Sequence, residues 1–197
     1  MTTIEIRRRR RAALWAVGSL VVGLAWVPVR ASAQPSLVVL VRHGEKQSAP
    51  SDDPSLSEAG VRRAAALDSA LRDLVPSTIV VSTRKRTVET AAVVARRTGV
   101  TPTVITLDGG GTSHVRAVAE AVQRARGVVL VVGHSNTVPA IVTALGGPKL
   151  PDLCDASYAT LFLLTPARDG APAQLVRAHY GLPDVIGADQ CPGMVPR

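Results

Sequence analysis

The chain has 197 residues, 46% of them hydrophobic and only 3% aromatic, and a formal net charge of +8. Arg7 to Arg11 and Arg30 contribute six of its positive charges against Glu5, so the chain beyond residue 33 keeps only about +3. The basic character therefore belongs to one end. With so few aromatic rings to stack on bases, it gives no ground for a nucleic-acid partner.

That basic end reads as an export signal. The block Arg7 to Arg11 precedes the uncharged, apolar run Ala12 to Val27, and Pro28 and Ala31-Ser32-Ala33 then supply a break and a small-x-small cleavage site. The apolar run, roughly 16 residues, is short for a membrane span of about 20. Residues 1–33 are expected to be a cleaved signal peptide, and residues 34–197 a single domain, periplasmic or secreted and without a membrane anchor after cleavage. The paired arginines leave the Sec and twin-arginine routes both open. Cys154 and Cys191 are the only cysteines. In an oxidising compartment a disulfide between them would tie the C-terminal tail to the domain, the alternative being two separate thiols.

Along the remaining chain, Ser36 to Val41 is a short apolar run that reads as a buried strand. Gln47 to Pro54 is a polar loop. Ser57 is an N-cap opening a helix to about Asp73, with Val61, Ala64, Ala65, Leu67, Leu71 and Leu74 at helical spacing and Arg62, Arg63, Asp68 and Arg72 free to face water. Ile79 to Val81 is a second strand, Thr87 to Arg97 a helix stopped by Gly99, and Val104 to Leu107 a third strand ending in Asp108-Gly109-Gly110-Gly111. Ser113 to Arg126 is a helix with Val115, Val118, Ala119 and Val122 inward. Val128 to Val132 is the most apolar strand, and Thr137 to Leu145 a short helix. Thr160 to Leu164 and Gln174 to Tyr180 close the chain as two strands around a Pro/Gly turn. Strands alternating with helices imply an α/β fold: one three-layer domain, a mostly parallel sheet with helices on both faces, and an antiparallel edge from the last pair.

Three strand ends carry unusual polar groups: Arg42-His43, Arg86 and His134. In a parallel sheet such ends point the same way and line the ligand crevice. Two guanidiniums and two imidazoles converging there suit a phosphoryl group, because arginine forks bind its oxygens bidentately. The Gly133-His134-Ser135-Asn136 turn opens a helix whose free N–H groups favour an anion. Gly109-Gly110-Gly111 lacks the Gly-Lys-Ser/Thr of a P-loop and reads as a flexible loop. Gly133 precedes Ser135 by two residues, but Asn136 and Thr137 after it break the pattern of a nucleophile elbow.

Arg42-His43-Gly44-Glu45, the segment Ser82 to Ala91 with its Arg86, Gly133-His134-Ser135-Asn136 and the helix start Leu56-Ser57-Glu58-Ala59-Gly60 together resemble the histidine phosphatase superfamily, also called phosphoglycerate-mutase-like. They run in the family's order from Val38 to about Phe162. The resemblance implies that His43 is a nucleophile taking a phosphoryl group onto a ring nitrogen. It also implies that Arg42, Arg86 and His134 bind the oxygens, and that water then hydrolyses phospho-His43. It implies no cofactor and no metal, the arginines neutralising charge instead. Family members often place a carboxylic acid between the second arginine and the second histidine. Asp108 is the candidate in that interval to protonate the departing oxygen.

Asn136 and Lys46 adjoin motifs and are candidate substrate contacts, Lys46 equally a solvated charge. Glu45 belongs to the first motif without being the usual acid. Glu120 reads as a solvated helix charge, His114 and His179 as surface or edge residues, and Asp155 and Tyr158 as structural. The expected function is hydrolysis of a phosphomonoester or phosphohistidine, on a small phosphorylated molecule or a phosphoprotein, in an exported and compact protein like the phosphohistidine-type members. An envelope glycolipid or sugar phosphate is a further candidate substrate. The competing class is a catalytically silent domain that binds phospho-ligands.

Overall fold

The apolar runs form the strands they predict. A computed structural model describes residues 34–49, 52–168, 170–185 and Cys191, all within the compact unit Ser32–Arg197. The expected signal peptide lies outside the described residues. Among the described residues no helix is long and apolar enough to cross a membrane. The elements are β1 (Pro35–Arg42), α1 (Glu58–Ala70), β2 (Thr78–Ser82), α2 (Lys85–Thr98), β3 (Thr103–Ile105), α3 (Gly110–Arg124), β4 (Gly127–Gly133), α4 (Thr137–Ala144), β5 (Thr160–Thr165) and β6 (Gln174–His179).

They build one six-stranded sheet in the order β3-β2-β4-β1-β5-β6. The pairs β1–β4, β2–β4 and β2–β3 are parallel, each reached through a helical crossover. β5 runs antiparallel to β1, and β6 antiparallel to β5, which gives the expected mixed edge. Side chains alternate across the sheet. Val38 and Leu40 of β1 pack with Val118 and Val122 of α3 and Ile141 of α4, whereas Val39 and Val41 pack with Leu67 of α1 and Val94 of α2. Two apolar layers result, one on each face, and the central strands are buried on both sides.

Local signals hold at the helix ends. Ser57 caps α1 by accepting the Gly60 N–H, and Gly99 ends α2 in the left-handed region at φ 71°. Two amphipathic readings are corrected. The buried stripe of α1 is Gly60, Arg63, Ala64 and Leu67, so Val61 faces solvent and Arg63 does not. Arg63 tolerates burial because acidic partners surround it, as described below. β3 stops at Ile105, short of Leu107, and α3 begins at Gly110, so the glycine run supplies a turn and the first helical residues instead of a loop. Gly109 and Gly110 sit at φ 87° and 86°, which only glycine adopts at little cost. The buried stripe of α3 therefore includes His114, 2% exposed, whose Nδ1 lies 2.9 Å from the Thr106 carbonyl and donates to it. The expectation of a surface histidine is overturned by that bond. His179 does lie exposed, on β6 at the sheet edge.

Cys154 and Cys191 form the expected disulfide. Where β1 leads into its loop, Gly44 and Gly60 allow the chain to lie against the start of α1. A Cβ on Gly44 would come within 3.0 Å of the Gly60 backbone, and one on Gly60 would run into the Glu45 carbonyl oxygen. Gly60→Ala is accordingly expected to cost roughly 1–3 kcal/mol, as overpacking against rigid backbone does. Urea unfolding of this variant beside Gly99→Ala would measure it.

Candidate active site

The β1–β4 pairing sets the site. Arg42 and Gly133 are paired residues at the two strand ends, and the His43 N–H continues the ladder to the Gly133 carbonyl at 3.0 Å. His43 and His134 therefore leave adjacent strands side by side, with ring centroids 5.3 Å apart in an edge-to-face arrangement. Arg86 projects from the first turn of α2, just beyond the end of β2. These four side chains share the wall of a cavity of about 510 Å³. A second cavity of about 620 Å³ borders Glu45, Arg63 and Asp184, but there the charges are paired with one another. Arg42, Lys46, Arg84 and Arg86 with two imidazoles line the first against the one carboxylate of Asp155, so it is the candidate active site.

The bonds of His43 define its tautomer. Nδ1 lies 2.7 Å from the Gly44 carbonyl, which can only accept, so Nδ1 carries the proton. Arg86 Nε donates to Nε2 at 3.1 Å, so Nε2 presents its lone pair to the cavity. Burial, joined by the positive charges of Arg42, His134 and Arg86, lowers the His43 pKa from 6.5 to about 3, against the opposing Gly44 bond. His134 is lowered to about 4, again first by burial and then by the Arg86 charge. Its Nε2 is 2.9 Å from Ser82 Oγ, and its N–H donates to Thr137 Oγ1 at 3.0 Å. Both rings are thus neutral near pH 7.

Arg42 is 4% exposed and held mainly by backbone. Its Nη1 donates to the carbonyls of Cys154, Asp155 and Ser157 at 2.9, 2.8 and 3.2 Å. Its Nη2 meets the Asp155 carboxylate at 3.3 Å, while Nε is buried without a partner. A buried unpaired N–H is costly, so it marks a position where an acceptor belongs. The Tyr158 ring lies under the guanidinium, 4.2 Å from centroid to Cζ. Arg86 is held near Asp53 at 3.7 Å. Burial and then the Arg84 charge lower its pKa, a measure of how cationic this end of the sheet is.

Several residues that sequence reasoning passed over build the frame. Arg63 donates from Nε and Nη2 to both oxygens of Glu45 and pairs with Asp184 at 3.4 Å. Asp184 in turn accepts the Tyr158 and Ala159 N–H groups and the Ser157 hydroxyl. Glu45 thereby links the His43 loop to the turn that holds Arg42. Thr90 accepts from the Gly44 N–H and donates to the Arg86 carbonyl, joining the first two motifs. Arg63 carried one signal, an arginine on the stripe of Gly60, Ala64 and Leu67. Asp184 carried none.

Asn136 and Lys46 both line the cavity, as do Arg84 and Asp155. Asp155, read as structural, is therefore also a cavity residue. Asp108 stands in the loop between β3 and α3, exposed, its Oδ2 accepting from Thr106 Oγ1 at 2.7 Å. Its neighbours Leu107 and Gly111 border the cavity. Glu120 is exposed and pairs with Arg116 and Arg124 within α3.

The sequence model of the histidine phosphatase superfamily (branch 1) matches residues 38–108, from β1 through both arginine motifs to Asp108. The chain belongs to the histidine phosphatase superfamily. As a member it is a phosphatase. Solved structures are similar over nearly their whole length. A candidate phosphohistidine phosphatase, SixA from Agrobacterium tumefaciens, is 25% identical, with a TM-score of 0.53 over 76% of this chain and 99% of its own. A mycobacterial glucosyl-3-phosphoglycerate phosphatase is 21% identical, with a TM-score of 0.53 over 72% of this chain and 97% of its own, a likeness of fold alone. No curated protein matches the chain in sequence.

The lowered histidine pKa values make stability depend on pH. Between about 4 and the ordinary 6.5, the unfolded chain binds protons at His43 and His134 that the folded chain refuses. Their contribution to stability is complete above pH 6.5 and is lost as the pH falls through that window. Neither ring should titrate between pH 5 and 8 when followed by NMR of its Cε1–H. Denaturant midpoints should drop from pH 7 to pH 4.5, less steeply in His134→Asn.

Proposed function

We propose that this phosphatase is an exported, metal-independent enzyme that hydrolyses a phosphomonoester or phosphohistidine through a phosphoryl intermediate on His43. The observation that carries the reading is the His43 tautomer: a neutral ring with Nδ1–H fixed on the Gly44 carbonyl and the Nε2 lone pair turned to Arg86. A phosphoryl group entering here takes over the Arg86 donor, which frees Nε2 to attack phosphorus. Arg42, through its unpaired Nε and its Nη2, Arg86 and His134 then hold the three non-bridging oxygens and stabilise the charge that spreads over them. The bound dianion also opposes the lowering of the His134 pKa and so favours a charged, donating ring. The P–O or P–N bond opposite His43 breaks, the leaving group departs with a proton, and water cleaves phospho-His43 to release inorganic phosphate.

Two guanidiniums, Arg42 and Arg86, supply the positive charge a metal would bring elsewhere. The Cys154–Cys191 disulfide supports an oxidising compartment, in keeping with the signal-like residues 1–33. The likeness to SixA supports a phosphohistidine or small phosphorylated substrate.

A silent phospho-binding domain would retain the arginines but not need a poised nucleophile. Release of phosphate from a chromogenic phosphate ester separates the two readings. His43→Ala is expected to lose roughly three orders of magnitude or more in kcat, while the wild type keeps its rate in excess chelator. Equal, slow release by both proteins would leave only the binding domain. Asp108 is assigned the proton donor for poor leaving groups. Asp108→Asn should then slow alkyl phosphates by roughly a hundredfold or more and spare aryl phosphates and phosphohistidine. A uniform loss across leaving groups would count against that role.

A further inference from the structure

We propose that Asp155 is a tethered carboxylate that competes with the phosphoryl group for Arg42 and so sets how weakly this site holds phosphate dianions. The proposal rests on reading the cavity as a phosphoryl site. It follows from counting the donors of Arg42. Three backbone carbonyls, those of Cys154, Asp155 and Ser157, occupy Nη1. Only Nε and Nη2 remain to form the parallel pair of bonds that a guanidinium makes with a phosphoryl group. Nε has no partner, and Nη2 is engaged by Asp155 Oδ1. A phosphoryl group that takes both donors must therefore displace a carboxylate that is already in place, and must then remain beside its negative charge.

The carboxylate cannot withdraw by moving its backbone. The Asp155 carbonyl itself accepts from Arg42 Nη1 at 2.8 Å. The preceding residue is held by the disulfide to Cys191, and the Leu153 N–H donates to the Ser135 carbonyl at 2.9 Å. The following residues are fixed through Asp184, which accepts the Tyr158 and Ala159 N–H groups. Side-chain rotation is the remaining exit, and it is open because the Asp155 side chain is 88% exposed. That exposure also limits the effect, since solvent screens both the pair with Arg42 and the repulsion of the ligand. The device suits an enzyme that must release inorganic phosphate after every turnover. Arg42 is capped in the resting site, exchanges its cap for substrate, and regains it as product leaves.

The test is direct titration of inorganic phosphate into the full folded protein by calorimetry, with tungstate as a second probe. The proteins compared are wild type, Asp155→Asn, Asp155→Ala, Asp152→Asn and Arg42→Gln. Asp152 lies exposed in the same loop and controls for a general change of surface charge. Asp155→Asn is expected to bind phosphate roughly three- to tenfold more tightly than wild type, a range set by one screened charge pair and one screened repulsion. Asp155→Ala, which also lacks the acceptor, should bind at least as tightly. Asp152→Asn should shift less than about twofold and Arg42→Gln should lose binding. In turnover, KM and the inhibition constant for phosphate should fall together in the Asp155 variants. Equal affinity in wild type and both Asp155 variants, with Arg42→Gln weakened, would overturn the role of Asp155 and leave the phosphoryl site standing. Absence of phosphate binding in every protein would overturn both. A fall of kcat on alkyl phosphates with unchanged phosphate affinity would make Asp155 a proton donor and also overturn the proposal.

Discussion

The parallel register of β1 on β4 is the constraint from which the site follows. Pairing Arg42 with Gly133 leaves His43 and His134 to exit neighbouring strands at the same edge, although they are far apart in sequence. A register one residue out would turn one of the two motifs toward the opposite face of the sheet, because side chains alternate with a period of two. The register is held by apolar packing on both faces, with Val38 and Leu40 on one side and Val39 and Val41 on the other. The most hydrophobic part of the chain therefore positions its most polar part.

Burial then determines the chemical state of what is positioned. The same enclosure that removes His43 from water keeps it unprotonated, and the surrounding guanidiniums act in the same direction. A histidine in this setting has its lone pair available without needing a base to remove a proton. Arg42 is subject to the same enclosure but cannot discharge, so the fold supplies it with carbonyls instead. Neutral rings and permanently charged guanidiniums in one cavity make a site that attracts an anion.

The support beneath these groups comes from late in the chain. The turn at 154–158 binds Arg42, Asp184 binds the turn, Arg63 binds Asp184, and Glu45 closes the circuit back to the His43 loop. Paired charges of this kind offset their burial only when every partner is present, so removing any one member would leave a buried charge uncompensated. Across the same turn, the disulfide brings Cys191 of the C-terminal segment against the element that holds Arg42.

The sequence by itself determined the strands, the helices and the identity of the polar groups at the strand ends. Those depend on local pattern: apolar runs of strand length, helical spacing, the Ser57 cap and the Gly99 stop, and motifs that stand in a recognisable order. Tertiary structure alone decided which polar groups meet. Arg63 looked solvated because helical spacing does not reveal that Glu45 and Asp184 would surround it. His114 looked exposed because nothing local shows that the Thr106 carbonyl would accept from its ring, although it stands on the stripe of Val118 and Val122. Asp155 looked structural because its partner Arg42 lies 113 residues away in sequence, and no local rule reaches that distance. Contacts between residues so far apart arise only when strands pair and layers pack, and that is the physical reason the motifs were legible while the frame around them was not.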